Sequence, residues 1–139
     1  MRFMMLVIPK GYESAQPNFQ PDPKQVEAMM EYNKALQKAG VLLALDGLHP
    51  PSMGARVSFS GGKPAVTDGP FAEAKEVLGG YWMIKVKSRE EALDWARRAP
   101  MSDNEIIEVR QVQEFEDFND DVKKAAEGFQ EMQAQAGKR

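Results

Sequence analysis

Six short segments of the chain carry the hydrophobic pattern of β-strands. In the first of them, apolar residues follow one another without interruption until Pro9 and Gly11, as in a strand that is covered on both faces. In the last, apolar and charged residues alternate in part. The third and fourth flank Gly61 and Gly62, so they are expected to form a β-hairpin. The predicted strands cover residues 3–8, 41–45, 56–59, 64–67, 81–86 and 106–112.

Two other segments have apolar residues at helical spacing, and both carry start and stop signals. Asp22 followed by Pro23 predicts the beginning of the first helix, and Gly40 predicts its end. Ser88, with a glutamate three residues later, predicts the beginning of the second helix, which ends before Pro100. The residues that share one helix face are Val26, Met29, Met30 and Leu36 in the first helix and Ala92, Trp95, Ala96 and Ala99 in the second.

The last part of the chain is polar, with acidic residues early and basic residues at its end, a distribution that suits a helix dipole. A sparse apolar stripe predicts one helix over residues 119–136 that docks on another surface. The stripe consists of Val122, Ala126, Phe129, Met132 and Ala136. The sequence therefore divides into a domain of residues 1–113 and a C-terminal helical extension of residues 114–139.

The order of these elements predicts an α+β fold. Without the inserted hairpin the order is strand, helix, strand, strand, helix, strand, which is the ferredoxin-like, or split βαβ, plan. In such a domain the helices cover one face of the sheet, yet the strands at residues 3–8 and 41–45 are apolar at successive positions. Two copies that pack sheet to sheet would cover the second face, so we expect a homodimer. The alternative is that the C-terminal helix covers this face within one chain.

Composition narrows the possible functions. A chain of 139 residues suits a single domain, and its net charge of −3 gives no broad basic field that would attract a nucleic-acid backbone. The absence of cysteine removes disulfides and thiolate chemistry. Apolar runs are too short for a membrane span or for a secretion signal, so the expected location is the cytoplasm.

Residues 67–76, Thr-Asp-Gly-Pro-Phe-Ala-Glu-Ala-Lys-Glu, followed by Leu-Gly-Gly-Tyr at 78–81, are the most distinctive part of the sequence. This stretch resembles the signature of the DGPF family, the YCII-related proteins. Four further blocks match the layout of that family in the same order, at residues 2–6, 39–42, 47–51 and 108–112. The resemblance covers the chain up to residue 113.

The resemblance implies a dimeric α+β barrel without an established reaction. Proteins of this family are often encoded beside extracytoplasmic-function sigma factors, and the wider superfamily includes lactone isomerases and cofactor-free monooxygenases. Some relatives carry a histidine on the first helix that is thought to pair with an aspartate. Met29, Met30 and Tyr32 occupy that region here, so a mechanism built on that histidine is not carried over.

Asp68 and His49 are the candidate catalytic residues. Asp68 begins an Asp-Gly-Pro turn, where it either caps the turn by accepting backbone N–H bonds or serves as a general base at the mouth of the barrel. His49 is the only histidine of the chain and follows a predicted strand, a position where functional loops often lie. The alternative for His49 is a surface residue of the turn before Pro50.

The residues after Asp68 are candidates for substrate binding. Phe71 offers an apolar contact, Lys75 would anchor an anionic substrate, and Glu73 or Glu76 would orient it. The alternative is that the charged residues form a solvated helical turn with local ion pairs. One histidine without clustered carboxylates is a poor metal site, so we expect no metal and no cofactor.

Three alternative functions from different classes therefore remain open. The first is a cofactor-free enzyme that acts on a small organic molecule, neutral or anionic, by acid–base chemistry. The second is a small-molecule sensor without turnover. The third is an interaction partner in a sigma-factor pathway, with the C-terminal helix as its contact.

Overall fold

The computed structural model describes residues 1–138 and has the α+β architecture that the sequence predicts. This part of the chain forms six strands and four α-helices. The strands are β1 (Arg2–Ile8), β2 (Leu42–Gly47), β3 (Ala55–Ser60), β4 (Lys63–Asp68), β5 (Gly80–Lys85) and β6 (Ile106–Gln111). The helices are α1 (Pro23–Lys38), α2 (Arg89–Arg97), α3 (Asp120–Ala125) and α4 (Phe129–Gln135). Short 3-10 turns lie at Tyr12–Ser14, Pro51–Met53 and Phe115–Asp117.

Four strands form one antiparallel sheet in the order β2-β5-β1-β6. The first strand of the chain is therefore central, and Phe3 faces Ile84 of β5 on one side and Gln111 of β6 on the other. This strand order, with a helix after the first and the third strand of the core, is the ferredoxin-like plan. The fold class predicted from the order of elements is confirmed.

The two long helices begin where the sequence signals place them. The hydroxyl of Ser88 accepts a hydrogen bond from the backbone N–H of Glu91 at 3.1 Å, as in a capping box. Asp22 precedes α1, whose first residue is Pro23, but the Asp22 side chain makes no capping hydrogen bond. Gly40 lies just beyond α1 with φ at 74°, the left-handed conformation that ends many helices.

The hydrophobic core lies between α1, α2 and one face of the sheet. Its buried members include Phe3, Met5, Trp82 and Ile84 from the strands and Tyr32, Leu36, Ala92 and Trp95 from the helices. Tyr32 is central to this packing, because its ring meets the Trp82 ring edge-on with centroids 5.0 Å apart. Its hydroxyl donates to the backbone carbonyl of Trp95 at 2.6 Å, so the polar end of the ring is satisfied.

The other face of the sheet carries the alternate side chains of the same strands. Met4 lies opposite Met83, and Leu6 lies opposite Tyr81. All four are partly exposed in a single chain. We call this surface the open face. Because the centre of the open face is apolar, the central strands carry apolar side chains on both faces of the sheet, as their sequence indicated.

The inserted hairpin is a separate two-stranded sheet formed by β3 and β4. Gly61 and Gly62 form its turn with φ at 59° and 78°, the left-handed conformations that a two-residue hairpin turn requires. Every residue of β3 and β4 is exposed. The predicted hairpin is therefore confirmed, but it packs little against the rest of the chain.

The C-terminal extension differs from the single helix predicted for residues 119–136. It forms α3 and α4, which are divided at Gly128, where φ is 92°. The side chains of the predicted stripe are not buried within one chain, since Phe129 is 47% exposed and Met132 is 69% exposed. No helix among residues 1–138 is long and apolar enough to cross a membrane.

Candidate functional site

Three loops meet at one end of the four-stranded sheet, and we call this region the motif end. They are residues 9–22 after β1, residues 48–54 after β2 and residues 69–79 before β5. The backbone N–H of Leu48 donates to the carbonyl of Gly79 at 2.9 Å. The backbone N–H of Gly79 in turn donates to the carbonyl of Val7 at 2.8 Å. The Tyr12 hydroxyl donates to the carbonyl of Leu48, which ties the first loop to the second.

Gly69 of the Asp-Gly-Pro turn lies directly against the loop that follows β2. Its N–H donates to the carbonyl of Gly54 at 2.8 Å. A β-carbon at position 69 would lie 1.8 Å from the carbonyl oxygen of Pro51, a distance that no side chain tolerates. The glycine is thus required by the close approach of two backbones, and this contact joins the loop of Asp68 to the loop of His49.

Gly79 and Gly80 also allow a close approach. A β-carbon at Gly80 would lie 2.7 Å from the carbonyl oxygen of Asp46, and one at Gly79 would lie 2.5 Å from the Pro9 ring. The beginning of β5 can therefore lie tightly between the end of β2 and the loop after β1. These glycines shape the motif end, and their role is steric.

Asp68 ends β4, opposite Ala55, and its side chain is exposed. None of residues 1–138 donates a hydrogen bond to its carboxylate, so the expected side-chain cap of the turn is absent. The turn is held instead by the N–H of Gly69. His49 is exposed two residues before Pro51. The structure thus brings the two loops together and leaves both candidate side chains open to solvent.

Phe71 is half-buried, and the guanidinium of Arg56 lies 3.9 Å from the centroid of its ring. Arg56 belongs to the hairpin, so this cation–π contact joins β3 to the family motif. One face of the Phe71 ring is therefore occupied by a residue of the same chain. Sequence analysis did not single out Arg56, because the contact joins residues on different elements.

The segment with Glu73, Lys75 and Glu76 is a loop, and the alternative of a helical turn with local ion pairs is wrong. All three charged side chains are exposed, and none of them makes an ion pair or hydrogen bond to another of the described residues. Buried Val77 anchors the segment. The three charges are therefore available to a ligand, although the structure does not gather them at one point.

Asp46 and Tyr81 form a pair that sequence analysis missed. The Tyr81 hydroxyl donates to Oδ2 of Asp46 at 3.0 Å, and this hydrogen bond raises the pKa of the phenol above its usual 10.0. Tyr81 lies on the open face beside Leu6, and Asp46 lies three residues before His49. The alternation of Tyr81 and Met83 in β5 was the available signal, since it places the phenol on the face away from the helices.

Glu13 adds a further acidic group to the first loop. Its Oε2 atom is buried and has no hydrogen-bond partner among the described residues. A buried carboxylate oxygen usually has a donor, so this atom suits a water or a ligand hydroxyl. Among residues 1–138, no three histidine, aspartate or glutamate side chains are grouped in a way that would hold a metal ion.

A four-stranded antiparallel sheet with two helices on one face defines a ferredoxin-like α+β protein. The model of the YCII-related domain family matches residues 1–116, and the chain belongs to that family. It is also similar to an uncharacterised protein of Rhizobium meliloti (strain 1021), with 37% identity over 76 residues. That match covers 55% of this chain and 61% of the relative, so the chain spans less than two thirds of the relative's length.

Proposed function

We propose that the chain acts as a homodimer that binds a small organic molecule at the motif end and converts it by acid–base chemistry without a cofactor. The observation that carries this proposal is the position of Asp68. Its carboxylate is exposed and accepts no hydrogen bond from the described chain, although the adjoining Gly69 is fixed against Pro51. A carboxylate on a rigid support, with no structural duty of its own, suits a general base.

The neighbouring groups have complementary roles in this proposal. His49 provides an imidazole that can donate or accept a hydrogen bond, and it lies on the loop that contacts the Asp68 turn. Tyr81 and Asp46 supply a hydrogen-bonded phenol and carboxylate at the same end of the sheet. Lys75 provides a cation for an anionic substrate, Glu73 and Glu76 orient polar groups, and the free face of Phe71 provides an apolar contact.

The homodimer gives the site its enclosure in this proposal. In one chain the motif end is open to solvent, and the open face presents Met4, Leu6 and Met83 without a covering layer. Packing of two open faces would bury this apolar surface. It would also shield the Tyr81–Asp46 pair from bulk water, which strengthens electrostatic interactions in a site.

Asp68→Asn tests the proposal, because an amide keeps the shape of the side chain but does not take up a proton. Mass spectrometry of the native protein would first identify a small molecule that is carried through purification. We expect the variant to unfold at the wild-type temperature and to lose turnover of that molecule by about 10²-fold. Asp121→Asn, exposed on α3 in the C-terminal extension, is the matched control. A stable Asp68→Asn protein with unchanged turnover contradicts the proposal.

A non-catalytic role is the second candidate, and the exposed tail favours it. Phe129 and Met132 form an uncovered apolar surface on α4, which suits contact with a protein partner in a sigma-factor pathway. A sensor would bind the same small molecule at the motif end but would leave it unchanged. Binding without turnover, with partner contact abolished by Phe129→Asp, would distinguish this function from the enzyme.

A further inference from the structure

Strand β6 is an edge of the four-stranded sheet and borders a groove that is lined by apolar and charged residues. No strand among residues 1–138 pairs with its outer side. The groove lies between β6 and α2 and has a volume of about 390 Å³. Its apolar lining consists of Leu93, Ala96, Ala99, Met101, Ile107 and Val109, and the charged residues Arg97 and Glu105 complete the lining. A free strand edge beside a groove with apolar side chains is the arrangement by which many proteins bind an extended segment as an added strand.

The same chain carries an extended segment that has no partner. In the hairpin, Val57 lies opposite Val66, and Phe59 lies opposite Pro64, so one face of the ribbon is apolar. These side chains are strongly exposed, with Phe59 at 78%, Val66 at 71% and Val57 at 53%. A two-stranded hairpin is marginally stable in water by itself. A surface that covers its apolar face would therefore stabilise it.

We propose that the hairpin of one copy adds to the β6 edge of a second copy, with Val57 and Phe59 in the groove. The hairpin follows β2, which is the opposite edge of the sheet from β6. Three strand spacings, about 14 Å, separate these edges, and the hairpin of the same chain pairs with neither of them. The groove of each copy is thus left for the hairpin of another.

The residue patterns of the two strands agree with this pairing. In β6, Ile107 and Val109 line the groove and Glu108 points to the other face. In β3, Val57 and Phe59 alternate with Arg56 in the same way. Pairing the two strands with their apolar residues in the groove places Arg56 on the face of Glu108, outside the groove. Reciprocal exchange between two copies closes the assembly with twofold symmetry.

Cross-linking tests this contact directly, because the chain contains no cysteine. One copy carries Phe59→Cys and an isotope-labelled copy carries Arg97→Cys, an exposed residue that lines the groove. After mixing and treatment with a short bis-maleimide, we expect a product of one labelled and one unlabelled chain. Gln37→Cys, exposed on α1, replaces Arg97→Cys as the control. Met101→Cys provides a second groove position if the first variant folds poorly.

A yield with Arg97→Cys or Met101→Cys that is at least about tenfold above the Gln37→Cys yield supports the proposal. Equal yields, or no product, overturn it. The cross-link should also fall about tenfold on adding Val57→Asp, but not on adding Ser58→Asp on the polar face of the same strand. If Phe129→Asp removes the product and Val57→Asp does not, a contact of the tail holds the two copies together and the proposal is wrong. The cross-link joins the hairpin to the groove, and neither lies on the open face. The result therefore tests this proposal whether or not the proposed sheet-to-sheet dimer forms.

Discussion

Gly69 and Pro51 contact each other through their backbones, with no room for a β-carbon at position 69. Gly69→Ala should therefore destabilise the protein, since the side chain would lie 1.8 Å from the Pro51 carbonyl oxygen and one loop must move. We expect a loss of about 2–3 kcal/mol in the free energy of unfolding, the range of overpacked sites. Chemical denaturation of the two proteins measures it.

Gly54→Ala is the matched control for this change. Gly54 lies in the partner loop, has φ at −109°, and its β-carbon would meet the same carbonyl oxygen at an ordinary 3.5 Å. It should change stability by less than about 0.5 kcal/mol. Equal effects of the two substitutions would show that the contact is not the reason for the glycine at position 69.

Arg2 and Glu114 form a bidentate ion pair, in which Nε donates to Oε1 at 2.7 Å and Nη2 donates to Oε2 at 3.1 Å. The hydrogen bond from Arg2 lowers the pKa of Glu114 below 4.5. A lowered pKa in the folded state stabilises the fold above pH 4.5, and this contribution is lost as pH falls through the folded-state value. Glu114→Gln should therefore cost about 0.5–1 kcal/mol at pH 7, because both side chains are partly exposed, and should cost less at pH 3.

Thermal unfolding of the Glu114→Gln and wild-type proteins at both pH values checks this expectation. Glu116→Gln, in the adjoining turn, is the control, because Glu116 is exposed and makes no ion pair with another described residue. A penalty for Glu114→Gln that is the same at pH 3 and pH 7 would mean that the ion pair does not act in solution.

Burial raises the pKa of Tyr32 to about 12. In the unfolded chain a tyrosine ionises near 10, so Tyr32 stabilises the fold below pH 10 and loses this contribution as pH rises through 12. Tyr32→Phe removes the hydrogen bond to the Trp95 carbonyl and should cost about 1 kcal/mol at pH 7. The variant should also lose less stability between pH 9 and 11 than the wild-type protein.

Urea unfolding at pH 7, 9 and 11 measures both effects. Tyr81→Phe is the control for the loss at pH 7, since the Tyr81 hydroxyl is exposed in one chain and its removal leaves no buried group unpaired. If Tyr32→Phe and wild type decline in parallel at alkaline pH, the buried phenol does not set the alkaline limit of stability.

The open face predicts that the wild-type protein sediments with about twice the chain mass of 15.6 kDa. Stable interfaces bury more than about 1,000 Å² in total, and Leu6 lies near the centre of the face. Leu6→Asp should shift the protein towards the monomer, because an unpaired carboxylate would be buried at the interface. Gln37→Asp, on the exposed side of α1, should leave the mass unchanged. A wild-type monomer at micromolar concentration would contradict the dimer.

The sequence was sufficient to predict the core because its strands and helices agree with its capping and turn residues. Ser88 begins α2 with the expected hydrogen bond, and Gly61-Gly62 forms the expected turn. The tail was predicted less well. Its apolar spacing continues across Gly128, which predicted a single helix. A glycine inside a helix costs about 1 kcal/mol, and no packing of the exposed tail offsets this cost, so the helix ends there.

The candidate site was less accessible from the sequence, because its contacts join distant residues. Asp46 pairs with Tyr81, 35 residues later, and no local pattern in the sequence links the two residues. Arg56 similarly lies over Phe71 through tertiary structure. Local patterns identified the loops of Asp68 and His49, and only the fold shows that these loops touch through Gly69.

The central position of β1 affects how the protein is made. A ribosome produces β1 well before its two neighbours in the sheet, β5 and β6, which begin at Gly80 and Ile106. Residues 2–8 must therefore remain without strand partners until most of the chain has emerged, while they expose a run of apolar side chains. Such long-range pairing slows folding. A nascent chain that stops before residue 80 should therefore be a good substrate for chaperones that bind short hydrophobic segments.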